Sequence, residues 1–225
     1  MKVFAIIPAG GRGKRIDSSL PKQFMKINDD ELIVYTLKIF DDPELIDRIV
    51  IPVNKEYRSL LSEIIEKNRF KTEIKIVEGG TERQDSVSNA LNSLEADDND
   101  IVIVHDAARP LLPKEILKVS IDEAKKYKAV VTAVKAKDTL LKGKDFALEY
   151  IDRSEVYYVQ TPQVFEYKIL KDALKQALGE NFYGTDESML VKKLGYNVKI
   201  VEGSSFSFKI TEKADIEILK ILLKK

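Results

Sequence analysis

The chain has 225 residues, enough for one large domain with a substantial core. Its 37 basic residues balance 37 acidic ones, which excludes a general nucleic-acid coat while leaving room for a local cationic pocket. There is no cysteine, so disulfides and thiolate metal sites are excluded, and no apolar segment is long enough to span a bilayer.

An apolar run, Val3 to Ile7, opens the chain and reads as a buried strand of a parallel sheet. No signal peptide is expected ahead of it, and the reading is a cytoplasmic protein with neither nucleic-acid nor membrane partners. Pro8, Ala9, Gly10, Gly11 and Gly13 follow, with Arg12, Lys14, Arg15 and Lys22 in and after them. Glycines let a backbone approach a bulky anion, and the cations add charge that amides lack. Both common nucleotide fingerprints fail: Ile16 stands where a dinucleotide loop needs its third glycine, and Arg15 follows the Gly-Lys pair where a P-loop needs Ser or Thr.

Helical and extended segments then alternate. Leu32 to Phe40 reads as a helix, Arg48 to Val53 as a strand, and Leu60, Leu61, Ile64 and Ile65 mark a second helix. Glu73 to Val77 is a strand, and Val87, Ala90, Leu91 and Leu94 mark the helix after it. Ile101 to Val104 and Ala129 to Val134 are strands flanking a helix with Ile116, Leu117, Ile121 and Ala124 on its apolar face. A stripe from Ile169 to Ala177, a helix capped by Thr185, a strand from Val198 to Val201 and a terminal helix capped by Thr211 complete the order. The pattern predicts one α/β domain over 1–225, Rossmann-like, with a mainly parallel sheet and helices on both faces. Residues 135–159 break the alternation. Strand-like pieces flank Lys142-Gly143-Lys144-Asp145, which predicts a protruding β-hairpin arm. The arm either packs on a second copy of the chain, giving a homodimer, or folds back on its own domain.

Two further segments fall at strand ends. His105-Asp106-Ala107-Ala108-Arg109-Pro110 places Asp106 on the rim beside the glycine loop. There it either holds Mg²⁺ against phosphates or pairs with Arg109. His105, the sole histidine, reads as a satisfied core residue. Gly79-Gly80-Thr81-Glu82-Arg83-Gln84-Asp85-Ser86 leads into a helix, and its polar groups either read a base and ribose or cap that helix. Asp152-Arg153, Thr161 to Gln163, Thr185 to Glu187 and Phe208 to Thr211 supply further polar groups; Arg153 and Lys209 suit a phosphorylated acceptor, while each segment taken singly reads as surface charge or a cap.

Taken together, P-A-G-G-R-G-K-R, L-P-K-Q, G-G-T-E-R-Q-D-S-V, H-D-A-A-R-P, D-T, D-R-S, T-P-Q, T-D-E, V-E-G and K-I-T resemble, nearly end to end, the methylerythritol phosphate cytidylyltransferase family. The resemblance implies transfer of CMP from CTP to a sugar-alcohol phosphate with release of pyrophosphate and help from Mg²⁺. It implies Arg15 and Lys22 as catalytic cations, and Ala9, Gly10, Gly11, Gly13, Gly80, Thr81, Ser86, Asp106 and Ala107 around the nucleotide. It further implies Asp106, Thr139, Arg153, Thr161, Thr185 and Lys209 around the acceptor, with Thr139 and Arg153 reaching in from a partner's arm and Asp106 as metal ligand. The sequence departs from the family pattern at Thr81, where relatives can carry an acid. It departs again at Ser204 to Phe208, which offers no second carboxylate for a metal. The rival readings are a ribitol 5-phosphate cytidylyltransferase, a nucleotidyltransferase using UTP or GTP, a glycosyltransferase, and a catalytically silent nucleotide-binding protein.

Overall fold

The structure is a computed structural model and describes residues 1–11 and 20–223. β1 (Val3–Ile6) leads through the glycine loop to a small ribbon, β2 (Lys26–Ile27) and β3 (Asp30–Glu31), and then to α1 (Leu32–Phe40). β4 (Arg48–Val53), α2 (Arg58–Asn68), β5 (Ile74–Glu78), α3 (Arg83–Asn92), β6 (Ile101–Val104), α4 (Lys114–Tyr127) and β7 (Ala129–Lys135) continue the alternation. A hairpin of β8 (Leu140–Gly143) and β9 (Ala147–Ile151) interrupts it. The chain resumes with β10 (Tyr157–Glu166), α5 (Tyr167–Gly179), α6 (Glu187–Lys193), β11 (Lys199–Glu202) and α7 (Lys213–Leu223).

The main sheet has seven strands in the order β11-β7-β10-β6-β1-β4-β5. β10 runs antiparallel to both its neighbours, and the remaining pairs are parallel. Strand alternation divides the core. Val3, Ala5, Ile49, Ile51, Ile101 and Ile103 pack against α1, α2 and α4 on one face. Phe4, Ile6, Val50, Val102 and Val104 pack against α3, α5 and α6 on the other. A smaller cluster of Ile27, Leu32, Ile210, Ile216 and Leu219 seats α7 beside the ribbon.

β10 is the principal difference from the sequence reading. Its Gln160, Thr161, Pro162 and Gln163 are polar or strand-breaking and give no strand signal, yet all are buried within the sheet. A register shift between Val159 and Gln163 accommodates them. The reversed direction follows from the arm. The chain leaves β7 at the carboxyl end of the sheet and re-enters there, so it runs back antiparallel and needs no crossover helix. The arm is also shorter than 135–159: Tyr157 to Val159 already pair with Ala133 to Lys135. A second correction concerns α6. Its cap is Asp186, whose carboxylate accepts from the Met189 N–H at 2.8 Å, and not Thr185. At α7, the Asp215 carboxylate accepts from the N–H groups of Thr211 and Glu212 at 2.6 and 2.9 Å, while the Thr211 hydroxyl donates to it.

The hairpin stands away from the sheet. Leu141 pairs opposite Tyr150, a register irregularity at Lys142–Gly143 leaves Leu148 without a residue opposite it, and Phe146 lies in the turn. Phe146, Leu148 and Tyr150 are 84%, 77% and 70% exposed.

Candidate active site

The loops after β1, β4, β5 and β6 all leave the carboxyl end of the sheet, where ligands of open α/β folds bind. They enclose a cavity of about 1020 Å³. Its lining includes Gly10, Gly11, Lys22, Gly80, Thr81, Ser86, Asp106, Ala107 and Lys209 of the residues singled out in the sequence.

The glycine loop is held from behind. The Gln23 side-chain amide donates to the carbonyls of Ala9 and Gly11 at 2.5 and 3.0 Å, and Asn54 donates to that of Gly10 at 3.1 Å. Three carbonyls are thereby occupied, while the Gly10 and Gly11 N–H groups have no protein acceptor among the described residues. A loop with its acceptors tied back and donors uncommitted suits an anion. Ala9 is buried in the core beneath it. Gly13 and Arg15 lie outside the described residues. Lys22 opens a single helical turn, Lys22–Phe24, fixed by Pro21, and its Nζ donates to the Ile210 carbonyl at 2.5 Å.

The second glycine turn is shaped by the start of α3. A Cβ on Gly80 would sit 2.2 Å from the Asp85 Cβ and 3.0 Å from its carbonyl carbon, so only glycine fits. The Ser86 hydroxyl accepts from the Gly80 N–H at 3.0 Å and donates to the Glu82 carbonyl at 3.1 Å. The cap of α3 is Glu82, whose N–H donates to Asp85 at 3.0 Å. Thr81 is exposed at the cavity wall.

Asp106 forms the floor. One oxygen meets Arg83 Nε at 3.3 Å, and the other meets Arg109 Nε at 3.3 Å and Lys209 Nζ at 3.0 Å. Burial alone would raise this carboxyl, but Arg83, Lys209 and Arg109 together hold it well below the usual carboxylate range. Arg109 also donates to the Ser207 carbonyl at 2.8 Å, which draws the 204–211 segment across the floor. Arg83 reaches past Asp106 to Glu187, donating from Nη1 to both its oxygens at 2.6 and 2.9 Å. The pairing of Asp106 with Arg109 is thus present, within a larger cluster that the sequence reading did not assemble.

Behind the floor, the loop is fixed by a chain whose proton positions follow from its ends. The Arg109 carbonyl can only accept, so His105 Nε2 carries a proton and donates to it at 3.1 Å. His105 Nδ1 therefore accepts from the Thr161 hydroxyl at 3.0 Å, and that hydroxyl accepts from the Asp106 N–H at 3.1 Å. His105 is the satisfied core histidine that its isolation suggested, and burial pushes its imidazole down to about 4. Thr161 is buried in this chain and is absent from the cavity lining.

His105 makes stability depend on pH. Its folded value lies below its ordinary 6.5, so the unfolded chain binds the extra proton between 6.5 and about 4. The stabilisation is complete above 6.5 and is lost as pH falls through that window. Lowering the pH from 7 to 5 costs about 2 kcal/mol by this route. Urea unfolding at both pH values checks it: His105→Gln lessens the pH dependence by that amount, and an unchanged dependence contradicts it.

The remaining residues lie outside the cavity. Thr185 is exposed. Thr139 and Arg153 lie exposed on the arm, where Arg153 donates to the Lys137 carbonyl. Among the described residues, no three His, Asp or Glu side chains converge as a metal site. Glu187, Gln23 and Asn54 carry the geometry yet were not singled out. Gln23 and Glu187 do lie within the L-P-K-Q and T-D-E segments.

Comparison with known proteins bears on this site as a whole. The family described as "IspD: 2-C-methyl-D-erythritol 4-phosphate cytidylyltransferase" matches residues 3–225. A 2-C-methyl-D-erythritol 4-phosphate cytidylyltransferase of Clostridioides difficile is 42% identical over 220 residues, covering 97% of this chain and 92% of that protein. One from Caldanaerobacter subterraneus is 39% identical over 228 residues and covers 100% of both. The crystal structure of 4-diphosphocytidyl-2C-methyl-D-erythritol synthase from Anaerococcus prevotii superposes with a TM-score of 0.87 at 29% identity, covering 100% of this chain and 96% of that one. With the glycine loop, the Asp106 floor and the match along nearly the whole chain in agreement, the chain belongs to the 2-C-methyl-D-erythritol 4-phosphate cytidylyltransferase family.

Proposed function

We propose that this cavity binds CTP along the two glycine turns and 2-C-methyl-D-erythritol 4-phosphate over the Asp106 floor. The chain is a CTP-dependent cytidylyltransferase of isoprenoid precursor synthesis, transferring CMP and releasing pyrophosphate. The observation that carries the assignment of sites is one cavity with uncommitted Gly10 and Gly11 N–H groups on one side and cations converging on Asp106 on the other.

An acceptor phosphate oxygen attacks the α-phosphorus in line and pyrophosphate departs, so the protein's work is positioning and charge stabilisation. Lys22 neutralises the triphosphate, and Arg15 shares that task. Gly10, Gly11, Gly80, Thr81 and Ser86 surround the nucleotide, and Lys209, half exposed beside Asp106, meets the acceptor phosphate. Ala9 and Thr161 act from below, the first under the loop and the second by holding the Asp106 backbone. Thr185, close in sequence to Glu187, borders the acceptor side.

Mg²⁺ fits here as an ion carried largely by phosphates and water, because the floor supplies a single carboxylate, Asp106, with Lys209 free to exchange from its oxygen to the incoming phosphate. When bound, it neutralises phosphate charge.

The exposed apolar face of the arm supports a homodimer in which Thr139 and Arg153 enter the partner's site. Leu148→Asp is expected to convert a dimer at micromolar concentration into monomer, read by sedimentation velocity. A wild-type monomer contradicts the dimer. Arg153→Ala is expected to raise KM for the acceptor about tenfold or more while CTP affinity stays unchanged in calorimetry. Equal loss of both places Arg153 elsewhere.

The assigned chemistry is tested by pyrophosphate release with CTP, UTP, GTP or ATP against 2-C-methyl-D-erythritol 4-phosphate and ribitol 5-phosphate. Turnover confined to CTP with the erythritol acceptor is expected. Turnover with ribitol 5-phosphate keeps the site and changes the acceptor, and no release with CTP still bound favours a silent nucleotide-binding protein.

A further inference from the structure

Two helices that are distant in sequence begin at the cavity floor. α3 starts with Arg83 and α6 with Glu187. They are stapled together by Gln84, which donates to the Phe182 carbonyl and accepts from the Gly184 N–H, both at 3.0 Å. The staple brings Glu187 to Arg83 as the least exposed carboxylate of the site, at 1%. Arg83 is then held along two edges of its guanidinium plane. Nη1 donates to both Glu187 oxygens and Nε donates to Asp106. Nη2 has no protein partner among the described residues, and Arg83 lines the cavity.

We propose that Glu187 is a positioning residue for the transfer reaction, fixing Arg83 so that Nη2 presents an N–H donor to a substrate oxygen at the floor. The assignment rests on the reading that this floor takes the acceptor. Glu187 does not line the cavity and acts only through Arg83. Without it, the guanidinium is free to turn both donor edges onto Asp106, whose oxygens it shares with Lys209 and Arg109. Nη2 then leaves its place, and Asp106 is drawn from Lys209. A guanidinium in a two-sided clamp is pre-organised, and loss of such orientation falls on turnover at low substrate.

A double-mutant cycle tests this with Glu187→Ala, Arg83→Ala and the double variant in the full-length chain. The measured quantities are kcat/KM for 2-C-methyl-D-erythritol 4-phosphate at saturating CTP and the thermal unfolding midpoint. Glu187→Ala is expected to lower kcat/KM about tenfold or more in the wild-type background and less than about twofold in the Arg83→Ala background. The double variant leaves no unpaired charge of this couple, so it keeps the test open if Glu187→Ala alone unfolds; it is then compared with Arg83→Ala and expected to match it. Equal losses in both backgrounds overturn the proposal, as does unchanged kcat/KM with the effect confined to the unfolding midpoint. Failure of the acceptor assignment shows separately, as wild-type turnover with ribitol 5-phosphate, and the cycle is then read with that acceptor. If the wild type turns over neither, the cycle is read as calorimetric affinity for inorganic phosphate, the group an acceptor presents at this floor, and equal affinities of wild type and Glu187→Ala overturn the proposal.

Discussion

Lys22→Ala is expected to lower kcat about 10²- to 10³-fold, the loss typical of one preorganised donor at a developing oxyanion. Lys22 is not a loosely tethered surface charge. Pro21 starts the turn that carries it, the Phe24 N–H closes that turn on the Pro21 carbonyl at 2.9 Å, and Phe24 is buried against Tyr57 with ring centroids 5.5 Å apart. Neighbouring Gln23 ties the same turn to the glycine loop. The backbone that carries the ammonium is therefore fixed beside the glycine loop by contacts of Pro21, Gln23 and Phe24, which truncation of Lys22 leaves in place while removing its bond to the Ile210 carbonyl. The unfolding midpoint is expected to stay within about 2 °C of wild type. Steady-state kinetics with a thermal melt check both halves. A loss smaller than about tenfold in kcat removes Lys22 from the reacting phosphates.

Asp106→Asn is expected to be the most destabilising isosteric change in the site, at about 3 kcal/mol or more. Asparagine keeps the shape but leaves Arg83, Arg109 and Lys209 converging on a neutral group, with Glu187 alone to balance Arg83. For a chain of this size, such a loss lowers the melting midpoint by roughly 6–12 °C. The sign with pH is fixed by the direction of the shift. A carboxyl held below its ordinary 3.8 contributes its full stabilisation above that value and loses it as pH falls further, so the Asn variant differs from wild type at pH 7 and converges with it in strong acid. Chemical denaturation at neutral pH and near pH 2 checks this; equal stabilities at pH 7 contradict it.

The parts of the fold that were legible in sequence are those with clean periodicity. Leu32–Phe40, Arg48–Val53 and Ile101–Val104 have the same bounds in sequence reading and structure, because their burial is uniform or one-sided. β10 was hidden because its buried centre is polar. Gln160 donates to the Ser204 carbonyl, Thr161 holds Asp106 and His105, and Gln163 accepts from the Ser188 N–H. Those side chains serve the rim and the sheet together, so no apolar pattern marks the strand. The site was legible where backbone geometry demands a residue type, as at Gly80. It was illegible where a group acts at long range: Glu187 lies 104 positions from Arg83, and Gln84 lies 98 from Phe182. Thr161 shows the converse. A polar residue in a recognisable segment suggests substrate contact, and its hydroxyl is spent on the loop behind the floor.

The most direct test of the account mixes two variants. Lys22→Ala and Arg153→Ala are each expected to be poorly active at subsaturating acceptor. In the proposed homodimer, dissociating and reassociating the two variants would leave half the dimers mixed, and each mixed dimer would have one site with wild-type Lys22 and a wild-type arm from its partner. Activity is predicted to recover to about a quarter of wild type. No recovery in confirmed mixed dimers would show that the arm does not complete the partner's site.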